Sequence, residues 1–179
     1  MEIRIAGFGG QGIVLSGSII GKAASIFNKG FAALTQSYGP ESRGGSCRAE
    51  VVVSDNPIGY PYAVSPNVQI ILSQEAYTEY GRNALQGSLV IVDSDLVIVD
   101  PNSSTQPLPI PASRMAQDMG RAVVANIIML GFLAAKSDIV PYEALKNAVL
   151  DSVPAGTEDF NNKAFDLGYS YGIDQSRGT

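Results

Sequence analysis

The sequence predicts an α/β fold in which a doubly wound, mostly parallel sheet forms a single domain, with helices at the carboxyl-terminal end of the chain. The first observation is that short apolar segments alternate with helical segments, which is typical of a parallel sheet covered on both faces. The second is a glycine-rich turn directly after the first apolar segment. The third is the length of 179 residues, which suits one domain. We therefore expect one domain, residues 1–179, without an interdomain linker.

The first half of the chain reads as a strand, a turn, a helix and four further strands. Residues 3–7 form a short apolar strand, and glycines in G-x-G-x-x-G spacing follow it. Apolar residues at helical spacing predict a helix over 12–28, with Gly30 as its stop signal. Later apolar runs, bounded by turn residues, predict strands at 31–36, 48–53, 68–72 and 89–92.

Helical patterns dominate the chain from residue 75 onward. A helix is predicted at 75–85, ending near Gly87, and a further apolar stretch covers 96–99. The proline-rich segment 107–111 is predicted to be an extended connection, and 174–179 a frayed tail. The remaining helices are predicted at 112–119, 122–136, 141–153 and 157–171.

The first glycine turn predicts a binding site. Glycine permits a tight turn and a close approach of backbone to a ligand, and the N–H groups at a helix start favour an anion. Gly9, Gly10, Gln11 and Gly12 are therefore candidate site residues. A dinucleotide fold also needs an acid roughly 20 residues further on, yet no Asp or Glu occurs between Gly12 and Glu41. This argues against the usual mode of NAD binding; the alternative is a tight turn with Gln11 as a solvated cap.

A second glycine-rich loop spans residues 38–46. Arg43 offers a planar fork of donors that suits carboxylate or phosphate. The alternatives are a surface turn with a Glu41–Arg43 ion pair, and a Tyr38 ring that only packs the loop. Both glycine loops follow the first two strands, so we expect them together at the carboxyl edge of the sheet, where ligands gather in open α/β folds. The candidates for contact with a ligand or another subunit are Tyr38, Gly39, Glu41, Arg43, Gly44 and Gly45.

Composition argues against several function classes. The formal net charge of −5 argues against a nucleic-acid surface, which needs clustered Lys and Arg. With one cysteine, Cys47, and no histidine, the chain lacks the ligands of an iron–sulfur cluster and the base of a Ser-His-Asp triad. We expect Cys47 to be a small buried side chain. The lone cysteine forms no internal disulfide, and the longest apolar run, 122–135, is shorter than the roughly 20 residues that span a bilayer. We expect a cytoplasmic protein without membrane contact.

Several segments along nearly the whole chain match one known family. They are Gly7-Phe8-Gly9-Gly10-Gln11-Gly12, the loop from Ser37 to Gly45, Ser54-Asp55 with Pro57-Ile58, Val124-Ala125-Asn126, Met129-Leu130-Gly131, Asn162, Ala164-Phe165 and Gly168. Together they resemble the gamma subunit of 2-oxoacid:ferredoxin oxidoreductases. The combination of the two glycine loops at this spacing is the specific part. The 2-oxoglutarate type is the most similar, while subunits of pyruvate, branched-chain and indolepyruvate type share these motifs.

The resemblance implies a subunit and not a complete catalyst. Enzymes of this family oxidatively decarboxylate a 2-oxoacid on thiamine diphosphate, pass electrons through iron–sulfur clusters to ferredoxin and release an acyl-coenzyme A. The resemblance places thiamine diphosphate, Mg²⁺ and the clusters on partner alpha, beta and, where present, delta subunits. This chain is then expected to hold no catalytic residue, metal or cofactor. The resemblance also associates this domain with the active-site entrance and with access of coenzyme A.

Two other interpretations stay open at this point. One is a free-standing module that binds a nucleotide or coenzyme A, and the other is a purely structural subunit that touches no substrate. Asn126 lies in an otherwise apolar helix. We expect it to be a buried, hydrogen-bonded side chain that fixes a loop, because buried amides are normally paired.

Overall fold

The computed structural model describes residues 1–39 and 45–177, which form a six-stranded mixed sheet with helices on both faces. The strands follow each other across the sheet in the order β2-β3-β1-β4-β5-β6. Their bounds are β1 Glu2–Phe8, β2 Phe31–Tyr38, β3 Ser46–Ser54, β4 Val68–Ile71, β5 Leu89–Asp93 and β6 Leu108–Ile110. The predicted α/β fold class is confirmed, and the first five strands begin and end within two residues of the predicted bounds.

Strand β3 gives the sheet its mixed character. It is antiparallel to both β1 and β2, whereas β1, β4, β5 and β6 pair in parallel. The physical reason is the short connection between Tyr38 and Ser46, because a parallel crossover needs roughly a dozen residues or more. Since β2 and β1 are both antiparallel to β3, they point the same way. The carboxyl ends of the first two strands therefore meet at one edge of the sheet.

Six helical segments within the described residues complete the fold. Two of the α-helices continue without a break into a π-helix, in which each backbone hydrogen bond spans five residues instead of four. Such segments are often found at functional sites. The segments are α1 Ile13–Lys22 with the π-helix Ala23–Phe27, α2 Gln74–Ala76 with the π-helix Tyr77–Gly81, α3 Ala112–Asp118, α4 Ala125–Lys136 after a 3₁₀ turn at Ala122–Val124, α5 Tyr142–Leu150 and α6 Glu158–Arg177.

The two faces of the sheet are covered unequally. Alternating strand residues such as Ile3 and Ile5 face a large apolar core shared with α1, α3, α4, α5 and α6. On the opposite face, Ala6, Ile71 and Val90 belong to a smaller cluster with Ala76 and Tyr77 of the α2 segment. The outer part of the second face, formed by β1, β2 and β3, carries polar and charged side chains. This asymmetry leaves a cleft there, described below.

Helices α4 and α6 pack with their backbones almost in contact. A Cβ placed at Gly131 would overlap the carbonyl oxygen of Phe165, and one at Gly168 would overlap the carbonyl oxygen of Ile128. Glycine is required at these crossings because any side chain would push the helices apart. The close approach explains why the matching segments near the end of the chain contain these glycines.

Three predictions beyond residue 74 are wrong in detail. The segment 107–111 is not only a connection, since Leu108–Ile110 pairs in parallel with β5 as the edge strand β6. Helix α6 continues to Arg177 instead of fraying at 174, because Gln175 donates a hydrogen bond to the carbonyl of Pro109 and thereby ties the last turn to β6. The helix predicted at 75–85 ends at Gly81. Residues 178–179 of the predicted tail lie outside the described residues.

Candidate functional site

The first glycine turn is built by backbone conformations that favour glycine. Gly10 and Gly12 have φ angles of 95° and 74°, a region that side chains rarely adopt. Gly12 also lies against α4, where an added Cβ would collide with the side chain of Asn126. The amide of Asn126, 4% exposed, donates to the carbonyl of Gly12 at 3.4 Å. Asn126 is thus the predicted buried, hydrogen-bonded residue.

Gln11 braces the turn from within. Its Oε1 accepts a hydrogen bond from the Phe8 N–H at 2.6 Å, and its Nε2 donates to the Leu72 carbonyl at 2.8 Å. Leu72 directly follows β4, so this amide joins the carboxyl ends of β1 and β4. Helix α1 leaves from this point over one face of the sheet and α2 over the other, the place where open α/β folds bind ligands. Gln11 occupies that place with its own side chain.

The two glycine loops meet, as the sequence predicts. The Gly9 N–H donates to the Gly45 carbonyl at 2.9 Å, and the Gly39 N–H donates to the Ser46 carbonyl at 2.7 Å. Tyr38 is 63% exposed at the end of β2. Three predicted site residues, Glu41, Arg43 and Gly44, lie outside the described residues, together with Pro40 and Ser42. Their roles stay predictions.

A cleft of about 270 Å³ opens beside these loops on the second face of the sheet. Its floor is formed by the ends of β1, β2 and β3, and the α2 segment forms the opposite wall. The lining is largely polar, with the hydroxyl groups of serines and tyrosines, the guanidinium of Arg48 and two carboxylates from the α2 segment. These polar residues are Ser37, Tyr38, Ser46, Arg48, Ser73, Glu75, Glu79 and Tyr80.

Arg48 is held in place by a buried carboxylate and a tyrosine. Glu50, whose side chain is 9% exposed, lies 2.6 Å from Nη2 of Arg4 and 3.7 Å from Nε of Arg48. The Arg48 Nη1 donates to the Tyr80 hydroxyl at 3.0 Å, and the Arg4 guanidinium lies 4.7 Å from the centre of the Tyr80 ring. The Arg48 side chain keeps 34% exposure. One cation is therefore presented to the cleft in a fixed orientation.

This cluster was not predicted from the sequence. Arg48 and Glu50 alternate with apolar residues on β3, and this period of two places both charges on one face of the strand. That spacing is a signal for a polar site, but Arg4 and Tyr80 join the cluster only through the register of β1 and the path of the π-helix.

Burial controls the ionisation of two groups at the cleft. Burial and a hydrogen bond to Glu79 raise the pKa of Tyr80, against the opposing charge of Arg48. Burial also raises the pKa of the Cys47 thiol, so the thiol stays protonated at neutral pH and is a poor nucleophile. Cys47 is 6% exposed and belongs to the large apolar core, which confirms the prediction of a small buried side chain.

A second, apolar hollow of about 420 Å³ lies on the other side of the first glycine turn. It is lined by Gly10, Gln11, Leu96 and Val123, among others, and Val123 is 70% exposed at its rim. Nearby, the fully buried Asp93 accepts hydrogen bonds from the N–H and hydroxyl of Ser113 and so fixes the start of α3. Burial raises the pKa of Asp93, although these hydrogen bonds oppose the shift.

Neither a cluster of metal-ligating side chains nor a membrane-spanning helix is found in the part of the chain that the structure describes. Among residues 1–39 and 45–177, no three His, Cys, Asp or Glu side chains are grouped to hold a metal ion. Within the same ranges, no helix combines the length and the apolar character needed to cross a bilayer.

Comparisons with known proteins agree on one family. The model of the family described as pyruvate ferredoxin/flavodoxin oxidoreductase matches residues 2–171. The 2-oxoglutarate synthase subunit KorC of Methanocaldococcus jannaschii is 47% identical over 171 residues, which cover 94% of this chain and 91% of that protein. The crystal structure of the gamma subunit of a keto/oxoacid ferredoxin oxidoreductase from Geobacter sulfurreducens has a TM-score of 0.85 at 38% identity, covering 97% of this chain and 98% of the other.

A third comparison shows the same fold within a longer chain. The 2-oxoglutarate:ferredoxin oxidoreductase of Magnetococcus marinus, solved with 2-oxoglutarate, coenzyme A and succinyl-CoA bound, has a TM-score of 0.85 at 24% identity. The match covers 97% of this chain but only 31% of the Magnetococcus chain. In that protein, this fold is thus one part of a larger polypeptide.

Proposed function

The chain belongs to the pyruvate ferredoxin/flavodoxin oxidoreductase family, and from this premise we propose that it is the gamma-type subunit of a 2-oxoacid:ferredoxin oxidoreductase. The proposed complex oxidatively decarboxylates a 2-oxoacid to an acyl-coenzyme A and delivers the electrons to ferredoxin. We favour 2-oxoglutarate as the substrate, because the 47% identity with a 2-oxoglutarate synthase subunit extends over 94% of the chain.

In this proposal, other subunits hold the redox centres. An iron–sulfur cluster needs several thiolates, and the chain has one cysteine, which is buried in the core. Thiamine diphosphate, Mg²⁺ and the clusters then belong to partner alpha, beta and, where present, delta subunits, with coenzyme A as co-substrate. The contribution of this chain is to shape the active-site entrance and the access of coenzyme A.

The contact between the two glycine loops is the observation that supports this role best. The Gly9–Gly45 hydrogen bond joins both loops into one surface at the carboxyl edge, and the cleft with Arg48 opens beside it. Glycine backbone allows another subunit or a ligand to approach closely. A guanidinium held by Glu50 and Tyr80 is preorganised to bind a phosphate or carboxylate. We propose that this surface faces the catalytic subunits along the route of coenzyme A.

A purely structural subunit is the second candidate, and the first glycine turn itself favours it. Both polar ends of the Gln11 amide are bonded within the chain, and Gly12 is needed for packing against Asn126. The turn therefore has a complete explanation without a ligand. The second loop and the cleft therefore decide between the two candidates. Arg43 in the loop and Arg48 in the cleft are the cations available to bind a phosphate or carboxylate.

Kinetics of the assembled complex test the proposal. We expect Arg43→Ala and Arg48→Ala each to raise the KM for coenzyme A, or to weaken subunit assembly, about tenfold or more, since losing one charged hydrogen bond costs about 1.5–3 kcal/mol. Arg82→Ala is the matched control, because Arg82 pairs with Asp100 outside the cleft. If both variants assemble and use coenzyme A like this control, the structural candidate is the better one.

A further inference from the structure

The two edges of the sheet are finished differently. Strand β6, at one edge, has only three residues. Its middle residue, Pro109, has no backbone N–H, and the Pro109 carbonyl accepts a hydrogen bond from Gln175 of α6. Short edge strands, prolines and covering side chains are the means by which proteins prevent edge-to-edge pairing. Strand β2, at the other edge, has eight residues with neither proline nor charge. Among the described residues, one edge of the sheet is thus protected, whereas no strand pairs with the outer side of β2.

The register shows which backbone groups of β2 face outward. The Gly39 N–H bonds to the directly opposite Ser46, and in an antiparallel pair every second residue bonds to the neighbouring strand. The odd-numbered residues of β2 therefore bond to β3. The N–H and C=O groups of the even-numbered residues point away from the sheet, and among the described residues none of these N–H groups has a hydrogen-bond acceptor. The outward residues are Ala32, Leu34, Gln36 and Tyr38.

Exposed apolar side chains flank this open edge. Leu34 is 40% exposed and Tyr38 63%, both on the edge strand. Phe31 at its beginning is 43% exposed, and Ile26 of the adjoining π-helix is 64% exposed. Exposed apolar residues along one border of a fold are typical of interaction sites.

We propose that β2 is the docking edge for an uncharged, extended segment of a partner subunit, which adds to the sheet as a seventh strand. The partner strand would donate to and accept from the outward groups of β2, the mode known as β-augmentation. The inference rests on the proposed function for the existence of the partner. Of the outward residues, Tyr38 also lines the cleft of the proposed coenzyme A route, whereas Ala32, Leu34 and Gln36 lie outside that cleft.

The position of β2 favours a partner subunit over a second copy of this chain. Strand β2 ends at Tyr38, which lines the cleft, so the open edge is continuous with that cleft. A second copy paired along β2 would cover Tyr38, which the proposed function assigns to the junction with the catalytic subunits.

Hydrogen exchange of individual amides tests the docking directly. In the isolated chain, the outward amides of Ala32, Leu34, Gln36 and Tyr38 should exchange rapidly, while the odd-numbered amides of β2 are protected by β3. In the complex purified with its other subunits, the outward amides should slow at least a hundredfold. Equal exchange rates in the isolated chain and the complex would overturn the inference. Protection in the isolated chain that grows with its concentration would also overturn it, because the occupant would then be a second copy.

A proline substitution provides a second test of the docking. Gln36→Pro removes an outward N–H without removing a bond to β3, and edge strands tolerate proline there. The matched control is Gln86→Pro, at an exposed turn where the Ser88 N–H bonds to Leu85 and Gly87 has a φ of 84°, a geometry that favours proline at this position. We expect Gln36→Pro to weaken assembly at least tenfold and Gln86→Pro to leave it unchanged. Normal assembly of Gln36→Pro contradicts the docking, and if this variant unfolds, the exchange measurement decides.

The outcome is separable from the proposed function. Changes of coenzyme A kinetics in Arg43 or Arg48 variants, combined with unprotected outward amides in the complex, would leave the proposed function standing and remove only the docking edge. The reverse result would retain the docking edge and remove the coenzyme A route.

Discussion

Removing the buried carboxylate of Glu50 should destabilise the chain more than any exposed ion-pair change. Glu50→Ala leaves Arg4, whose side chain is 16% exposed, without its 2.6 Å partner. Breaking one side of a buried pair costs about 3–5 kcal/mol. Water compensates part of the charge at Arg48, whose side chain is 34% exposed. We therefore take the lower end of that range, a loss of about 3 kcal/mol in the free energy of unfolding, or more than a hundredfold in the unfolding equilibrium.

Urea denaturation of the full chain, followed by circular dichroism, measures this loss. Asp100→Asn is the matched control, because it breaks the pair with Arg82, a side chain that is 52% exposed, and exposed pairs contribute about 0–1 kcal/mol. Glu50→Gln keeps the shape and one acceptor, so its cost should lie between the two. A difference of less than about 0.5 kcal/mol between Glu50→Ala and Asp100→Asn would contradict this prediction, since surface changes commonly fall within that range.

Two further predictions concern packing and pH. Gly168→Ala should lower the free energy of unfolding, measured by urea denaturation, by about 3 kcal/mol, because its methyl group would overlap the backbone carbonyl of Ile128. Gly59→Ala is the control, since Gly59 has open space around it. Equal losses in the two variants would contradict the close helix crossing. The pKa of Asp93 is raised by burial, so the folded state holds its proton more tightly than the unfolded state does. Stability relative to Asp93→Asn should therefore be greatest near and below about pH 4 and fall as pH rises through the raised pKa; a difference in urea midpoints that is constant from pH 4 to 7 would contradict this.

The strands and the meeting of the two glycine loops were predictable because local signals define them. Apolar runs bounded by turn residues locate the first five strands, and their order places both loops at the carboxyl edge. The Gly9–Gly45 hydrogen bond confirms that the loops meet. The direction of β3 was not predicted, although the seven residues between Tyr38 and Ser46 are too few for a crossover.

Features that depend on tertiary pairing were not accessible from the sequence. Strand β6 was missed because the prolines of 107–111 favour an irregular segment, and only pairing with β5 makes it a strand. The end of α6 was underestimated because Gln175 finds its acceptor on β6. The Arg4–Glu50–Arg48–Tyr80 cluster unites three elements, and its members are neighbours only once the register is known. The roles of Glu41, Arg43 and Gly44 stay predictions.

The central claim is that this chain works as a subunit of a 2-oxoacid:ferredoxin oxidoreductase. The most direct measurement is purification of the native complex through a tag on this chain, followed by an assay with a panel of 2-oxoacids, coenzyme A and ferredoxin or a dye as acceptor. We predict copurification of thiamine- and cluster-binding subunits, and acceptor reduction that needs both coenzyme A and a 2-oxoacid, fastest with 2-oxoglutarate. A chain that purifies alone and binds a nucleotide or coenzyme A by itself, with no 2-oxoacid-dependent reduction, would contradict the claim.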